Sequence, residues 1–202
     1  ASITLAIEGQ GAKGTSAKRS YATQSVLASG QWFQCSLSQS GIYKVTYQDL
    51  ISMGMSAPIT SAQLAVFGNG GMRLPEANAV PRIDDLQELP IQIKDGGDGS
   101  FDPDDYFLFY GQGPHRIMYD TIKQQFTHDY NIYSDVSYYF ITQTPGVGTK
   151  KRVQTVDNEG LNENISVQEF TYYNFFEEDL YNLCDSGQNW FGERYDIALS
   201  YT

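Results

Sequence analysis

Hydrophobic and polar residues alternate along several short segments of the chain, beginning with QWFQCSL at residues 31–37. Phe33, Cys35 and Leu37 fall on one side of this segment, and the residues between them fall on the other. A period of two residues is typical of a β-strand with one buried face. The turn sequence SQSG and the strand-like segment IYKVTY follow directly, so this region predicts a β-hairpin.

Further strand-like segments follow, and one segment among them has the pattern of a helix. In TYQDLISMGM, Thr46 is a candidate cap with Asp49 three residues later, and Gly54 can end the helix, which predicts one short helix near 47–53. A strand is predicted at each of four segments, which are residues 64–67, LPIQIK, YFLFYG and DVSYYFIT, and short strands continue toward the end of the chain. About nine short strands with one short helix predict an all-β chain, a β-sandwich or a related Greek-key-like fold.

Composition divides the chain into three parts. Residues 1–25 are mostly small and polar, which predicts a flexible lead-in. Residues 26–165 predict the β-sandwich domain. The polar segment DNEGLNENI then separates this domain from residues 166–202, which are either the start of a second β unit or the closing strands of the same domain.

The charge of the chain disfavours two classes of partner. The net charge is −11 and the 13 Lys and Arg residues are scattered, whereas a nucleic-acid binder needs a concentrated basic surface. Anionic membrane surfaces are disfavoured for the same reason. No segment approaches the roughly 20 apolar residues of a membrane span, and the first residues lack the basic start and apolar run of a signal peptide.

The stretch DGGDGSFDPDD, residues 95–105, concentrates five carboxylates. It does not fit an EF-hand, because the frame that starts at Asp98 places Pro103 where glycine is required. A looser calcium site made by Asp95, Asp98, Asp102 and Asp104 is the minority interpretation. A glycosidase pair is disfavoured because carboxylates on one loop do not face each other across a sugar. The favoured interpretation is an acidic hairpin loop in which glycines allow positive φ and Asp side chains accept from nearby amides.

The chain offers few residues for catalysis or metal binding. Cys35 and Cys184 have no neighbouring His in the sequence, and no CxxC, HxxxH or GxSxG motif is present. The two cysteines could form a disulfide in an exported protein, although two free thiols are the favoured interpretation. We therefore expect no catalytic residue and no cofactor in this chain.

Four strings occur along the chain in the order SGIYKVTYQDLISMG, DGGDGSFDPDDYFLFYGQGP, YNIYSDVSYYFIT and LCDSGQNWFGE. Together they resemble the N-terminal, non-catalytic region of PorU-like sortases. These are gingipain-like cysteine peptidases of the type IX secretion system of Bacteroidetes. The resemblance covers most of residues 26–195. It implies an all-β, profragment-like domain that precedes a peptidase domain, and an exported protein, periplasmic or associated with the outer membrane at the cell surface. The catalytic His and Cys of that family have no counterpart here.

Two functional hypotheses follow. In the first, the domain docks on the downstream peptidase domain, and other secretion-system components are further partners. Trp190, Phe191 and Glu193 are the candidate interface, unless the aromatic residues fill the domain's own core. If the domain blocks the peptidase cleft, a basic loop residue should enter it, and the candidates are Arg73, Arg116 and Arg152. In the second, the chain is a stand-alone carbohydrate- or ligand-binding β-sandwich with calcium in the acidic loop.

Overall fold

The computed structural model describes residues 21–75, 77, 79–155, 168–169, 180–182 and 190–192. Within these residues the chain forms nine strands and one α-helix. In chain order they are β1 (Phe33–Leu37), β2 (Gly41–Thr46), α1 (Tyr47–Ser52), β3 (Ala65–Gly68), β4 (Gln87–Leu89), β5 (Ile91–Lys94), β6 (Tyr106–Gly111), β7 (Arg116–Asp120), β8 (Gln125–Asp129) and β9 (Ser137–Thr142). The predicted lead-in and the predicted closing segment lie mostly outside the described residues.

Two antiparallel sheets form the body of the fold. The four-stranded sheet has the order β1-β9-β3-β4, and the three-stranded sheet has the order β2-β6-β5. Side chains from both sheets meet in a common apolar core, to which the four-stranded sheet contributes Val66, Tyr139 and Ile141 and the three-stranded sheet contributes Phe107 and Phe109. The predicted all-β sandwich is therefore confirmed.

The chain changes sheet at two places where the sequence predicted continuous local structure. The predicted hairpin between β1 and β2 is wrong, because Cys35 of β1 pairs with Tyr139 of β9 while Val45 of β2 pairs with Phe107 of β6. LPIQIK is two strands rather than one, because β4 belongs to the four-stranded sheet and β5 to the three-stranded sheet. Pro90 separates them, and a proline lacks the amide hydrogen that a continuous sheet ladder would need.

The predicted helix and the predicted acidic loop are both present. Thr46 caps α1, since its hydroxyl accepts from the Asp49 amide while the Asp49 carboxylate accepts from the Thr46 amide. Leu50 is fully buried, which docks this short helix on the sandwich. The acidic stretch connects β5 to β6 as a hairpin in which Lys94 pairs with Tyr106.

Candidate functional site

The strands β7 and β8 pair with each other and, among the described strands, with neither sheet. Ile117 lies opposite His128, and Tyr119 lies opposite Phe126 with their rings in an edge-to-face arrangement 5.2 Å apart. Ile117, Tyr119 and Phe126 share one side of the hairpin and are 47–53% exposed. We call these three side chains the apolar face. Exposed apolar side chains grouped on one side of an element are a candidate interaction surface.

The turn of this hairpin is specified by local contacts. One carboxylate oxygen of Asp120 accepts from the backbone amides of Ile122 and Lys123 at 2.9 and 3.0 Å. The other lies 3.7 Å from Lys123 Nζ. Ile122 stands at the tip and is 92% exposed. The turn thus holds its shape while presenting one more apolar side chain to the solvent.

Asn131 anchors the base of the hairpin to the body of the fold. Its side-chain amide donates to the Gly71 carbonyl at 2.9 Å, and its side-chain oxygen accepts from the Tyr133 amide at 3.0 Å. Its backbone amide donates to His115 Nδ1 at 3.1 Å. This buried residue therefore ties both ends of the hairpin to the loop that follows β3.

These contacts also orient the His115 ring. The ring stacks on Tyr130 with a centroid separation of 4.2 Å and an interplanar angle of 3°. Because His115 Nδ1 accepts the Asn131 amide, the ring proton lies on Nε2 in this geometry. His115 thus presents a hydrogen-bond donor on the edge that points away from Asn131.

The connection from β6 to β7 is fixed by close packing. The Tyr139 hydroxyl accepts from the Gln112 amide at 2.6 Å and donates to the Gln112 carbonyl at 2.8 Å. The Gly113 amide donates to Ser40 Oγ at 2.9 Å. A Cβ at Gly113 would lie 2.7 Å from the carbonyl carbon of Gln39, so only glycine fits without displacing the β1–β2 turn.

A cleft of about 580 Å³ opens between the hairpin base and the body of the fold. One wall is the β1–β2 turn at residues 38–40 together with Tyr110 and Gln112, and the other wall is residues 115–117 together with His128. We call this the base cleft. Both histidines of the chain line it. Tyr110 and Ile117 also line it, so the cleft is continuous with the apolar face.

The structure brings together two of the three predicted cleft-blocking arginines. Arg73 Nε lies 3.4 Å from one oxygen of Asp129, and an Arg116 guanidinium nitrogen lies 3.9 Å from the other. Arg116 begins β7, so its predicted loop position is wrong. Arg152 lies elsewhere: its guanidinium donates to the carbonyls of Ser61 and Ala62, and burial lowers its pKa.

The predicted interface residues lie on a separate short bridge. Phe191 pairs with Tyr181 through reciprocal backbone hydrogen bonds of 2.9 and 2.8 Å. Trp190 and Phe191 are about half exposed, as are Leu180 and Tyr181. Glu193 lies outside the described residues. The exposed halves of these side chains are available for contact with a partner.

The acidic loop satisfies much of its own hydrogen-bonding capacity. Asp95 and Asp98 each accept from a backbone amide two residues ahead, at 3.2 and 2.9 Å respectively. The Ser61 hydroxyl, followed by the backbone amides of Gly97, Asp95 and Gly99, holds the pKa of Asp95 below its usual range. Phe101 is buried and fixes the loop to the core. Within the described residues, no three His, Cys, Asp or Glu side chains are grouped so that they could hold a metal ion.

Cys35 lies on β1 as a free thiol, and burial raises its pKa, which disfavours the reactive thiolate. Cys184 lies outside the described residues. No helix in the described part of the chain is both long and apolar enough to cross a membrane.

Sequence reasoning missed the hairpin, Asn131 and Tyr139. The available signal was the pair of strand-like segments RIMYD and QFTHD around the turn TIKQ. An Asp directly before such a turn is typical of turns capped by a side chain, as Asp120 caps this one. No sequence pattern indicated that the Tyr139 hydroxyl would reach the backbone of Gln112.

Comparison with known proteins relates this chain to a solved structure. No family model matches the chain, and no curated protein matches it. Among solved structures, the crystal structure of dimeric latent PorU from Porphyromonas gingivalis matches at 31% sequence identity with a TM-score of 0.50. The match covers 67% of this chain and 11% of the PorU chain, so this chain spans a small part of that protein. The resemblance predicted from the sequence is thus confirmed at the level of a region similar to part of PorU.

Proposed function

We propose that this chain is the non-catalytic, profragment-like β-domain of a PorU-like cysteine peptidase of the type IX secretion system. In this proposal the domain docks on the downstream peptidase domain through the apolar face of the β7–β8 hairpin. The observation that carries the proposal is a hairpin paired with neither sheet of the described fold, with three large apolar side chains about half exposed. Similarity to a region that is 11% of PorU supports a larger parent protein.

The energetics of the hairpin favour a partner. An isolated two-stranded hairpin is marginally stable in water. Covering the exposed halves of Ile117, Tyr119 and Phe126 would contribute about 1 kcal/mol each, or about 3 kcal/mol in total. That is a substantial share of the free energy of a domain-domain contact. The exposed halves of Trp190 and Phe191 extend the same proposal to a second contact.

The proposal assigns the docking energy to apolar contact rather than to an inserted arginine. Arg73 and Arg116 both face Asp129, so either would lose this ion pair on entering a peptidase cleft. Arg152 would lose its hydrogen bonds to the carbonyls of Ser61 and Ala62. The parent protein would be exported and held in the periplasm or at the outer-membrane surface, and the peptidase activity would belong to the other domain.

The test mixes this chain with the peptidase domain of the same parent protein and measures binding by calorimetry and peptidase activity in parallel. We expect a one-to-one complex and a change in peptidase activity. Tyr119→Ser with Phe126→Ser should weaken binding about tenfold or more. Tyr138→Ser is the matched control, because Tyr138 is equally exposed but lies on β9. Failure of the unmodified chain to bind would overturn the docking proposal, and equal binding by the double variant would remove the hairpin from it.

A further inference from the structure

The base cleft contains several hydrogen-bond donors and one cationic side chain, although the chain as a whole carries a net charge of −11. Arg116, His115 and His128 line it, and none of the described residues that line it carries a carboxylate. Asp129 contacts both Arg73 and Arg116 but does not itself line the cleft. The local field in the base cleft therefore favours an anionic group.

Two donors at the cleft, on His115 and Gln112, have no acceptor among the described residues. Nδ1 of His115 accepts a hydrogen bond from the Asn131 amide, so the Nε2–H group of His115 is free to donate to a ligand. The side-chain nitrogen of Gln112 is buried beside the cleft without a hydrogen-bond partner. A buried donor left unpaired costs free energy, so a group that only accepts hydrogen bonds complements this arrangement. An ionised carboxylate is such a group.

Apolar surface continues from both ends of the cleft. On one side Tyr110 lies opposite Ile42 at the end of the three-stranded sheet, and Ile42 is 75% exposed. On the other side Ile117 leads to Tyr119 and Phe126 on the apolar face. A free anion would leave these surfaces uncovered, whereas a polypeptide crossing the cleft would cover both. The carboxylate is therefore best supplied by a side chain in the middle of a segment.

We infer that the base cleft binds the carboxylate of a Glu or Asp side chain in a partner polypeptide, with apolar residues on either side of it contacting Tyr110 and the apolar face. This inference rests on the proposed function, because it names the feature of the partner that the docking surface recognises. Arg116, His115 and Gln112 supply the donors. The flanking apolar contacts set the direction in which the segment crosses the cleft.

The experiment uses the two histidines as reporters, since both line the cleft and no other histidine is present. The imidazole proton signals are followed by NMR at constant pH and assigned with His128→Gln. The probe is a five-residue peptide, blocked at both ends, with a central glutamate between phenylalanine and leucine and serines outside. Its counterpart has glutamine at the centre, and sodium acetate is the third ligand.

We expect the glutamate peptide to shift the histidine signals with saturation at millimolar concentration. The glutamine peptide should bind about tenfold or more weakly. Arg116→Gln should abolish the preference for glutamate, whereas Lys94→Gln, which removes the same charge at the exposed end of β5, should leave it unchanged. Equal binding of the two peptides, the same affinity for acetate as for the glutamate peptide, or no shift at all would overturn the inference.

Failure of this inference is distinguishable from failure of the proposed function. Docking on the peptidase domain is measured without the peptides and depends on Tyr119 and Phe126. Docking with no preference for the glutamate peptide would refute the carboxylate site and leave the docking module intact. Recognition of the glutamate peptide without peptidase binding would refute the proposed partner and leave the site intact.

Discussion

Substitution of Tyr139 by Phe should destabilise the fold through a single pair of hydrogen bonds. The Tyr139 ring is 1% exposed in the core, and its hydroxyl bonds both the amide and the carbonyl of Gln112. Burial also raises the pKa of this hydroxyl, so it stays protonated and able to donate at neutral pH. The substitution keeps the ring and its packing against Phe109, and removes only the tie between β9 and the β6–β7 connection.

The expected cost follows from the two groups that lose their partner. Leaving a buried backbone donor or acceptor unpaired costs about 1–3 kcal/mol. Gln112 is only partly buried, so water can satisfy part of the loss. We therefore assign each of the two unpaired groups a cost at the lower end of this range, about 1 kcal/mol. The free energy of unfolding should then fall by about 2 kcal/mol in total.

Urea unfolding followed by fluorescence and analysed as a two-state transition measures this loss. Tyr138→Phe is the control, because Tyr138 is the neighbouring residue on β9 and faces the solvent. It should change the free energy of unfolding by less than about 0.5 kcal/mol. Equal effects of the two substitutions would show that the hydroxyl of Tyr139 does not hold the connection, and our account of how the base cleft is positioned would fail.

Two further predictions concern the helix cap and the acidic loop. The Thr46 hydroxyl and then the Thr46 amide lower the pKa of Asp49, so its contribution is present above about pH 4 and lost as the pH falls through the lowered value. The difference in unfolding free energy between the unmodified chain and Asp49→Ala should therefore shrink on acidification, and a difference independent of pH would contradict this. Calorimetric titration with calcium should give no binding heat and no change in melting temperature, because Asp95 and Asp98 already accept from the amides of Gly97 and Ser100. Saturable heat with a raised melting temperature would restore the calcium interpretation.

Sequence reasoning succeeded where the determining interactions are local. The capping box at Thr46 and Asp49 lies within four residues, and the structure forms it as predicted. The acidic loop between β5 and β6 was also predictable, since glycines with positive φ and Asp side chains that accept from nearby amides act over two or three residues. In both cases the residues that decide the conformation are also the residues that adopt it.

Sequence reasoning failed where the partner of a strand is distant in the chain. The alternation in β1 identifies Leu37 as buried but gives no information about which strand lies beside it. Ser36 of β1 pairs with Tyr138 of β9 and not with a residue of β2. The turn between β1 and β2 therefore crosses from one sheet to the other, although its composition is that of an ordinary hairpin turn. At Pro90 the missing amide hydrogen was a visible signal, and it could have divided LPIQIK into two strands.

For the β7–β8 hairpin, sequence periodicity cannot tell whether the apolar face is buried or available to a partner. Alternation in RIMYD and QFTHD is the same whether the apolar face packs on a core or faces the solvent. The structure resolves this, because Asn131 and Tyr139 fix the base of the hairpin while the apolar face is left exposed. A fixed base reduces the conformational entropy lost on binding, so the exposed side chains would need little ordering to contact the proposed partner. The proposed docking would give this arrangement a physical reason.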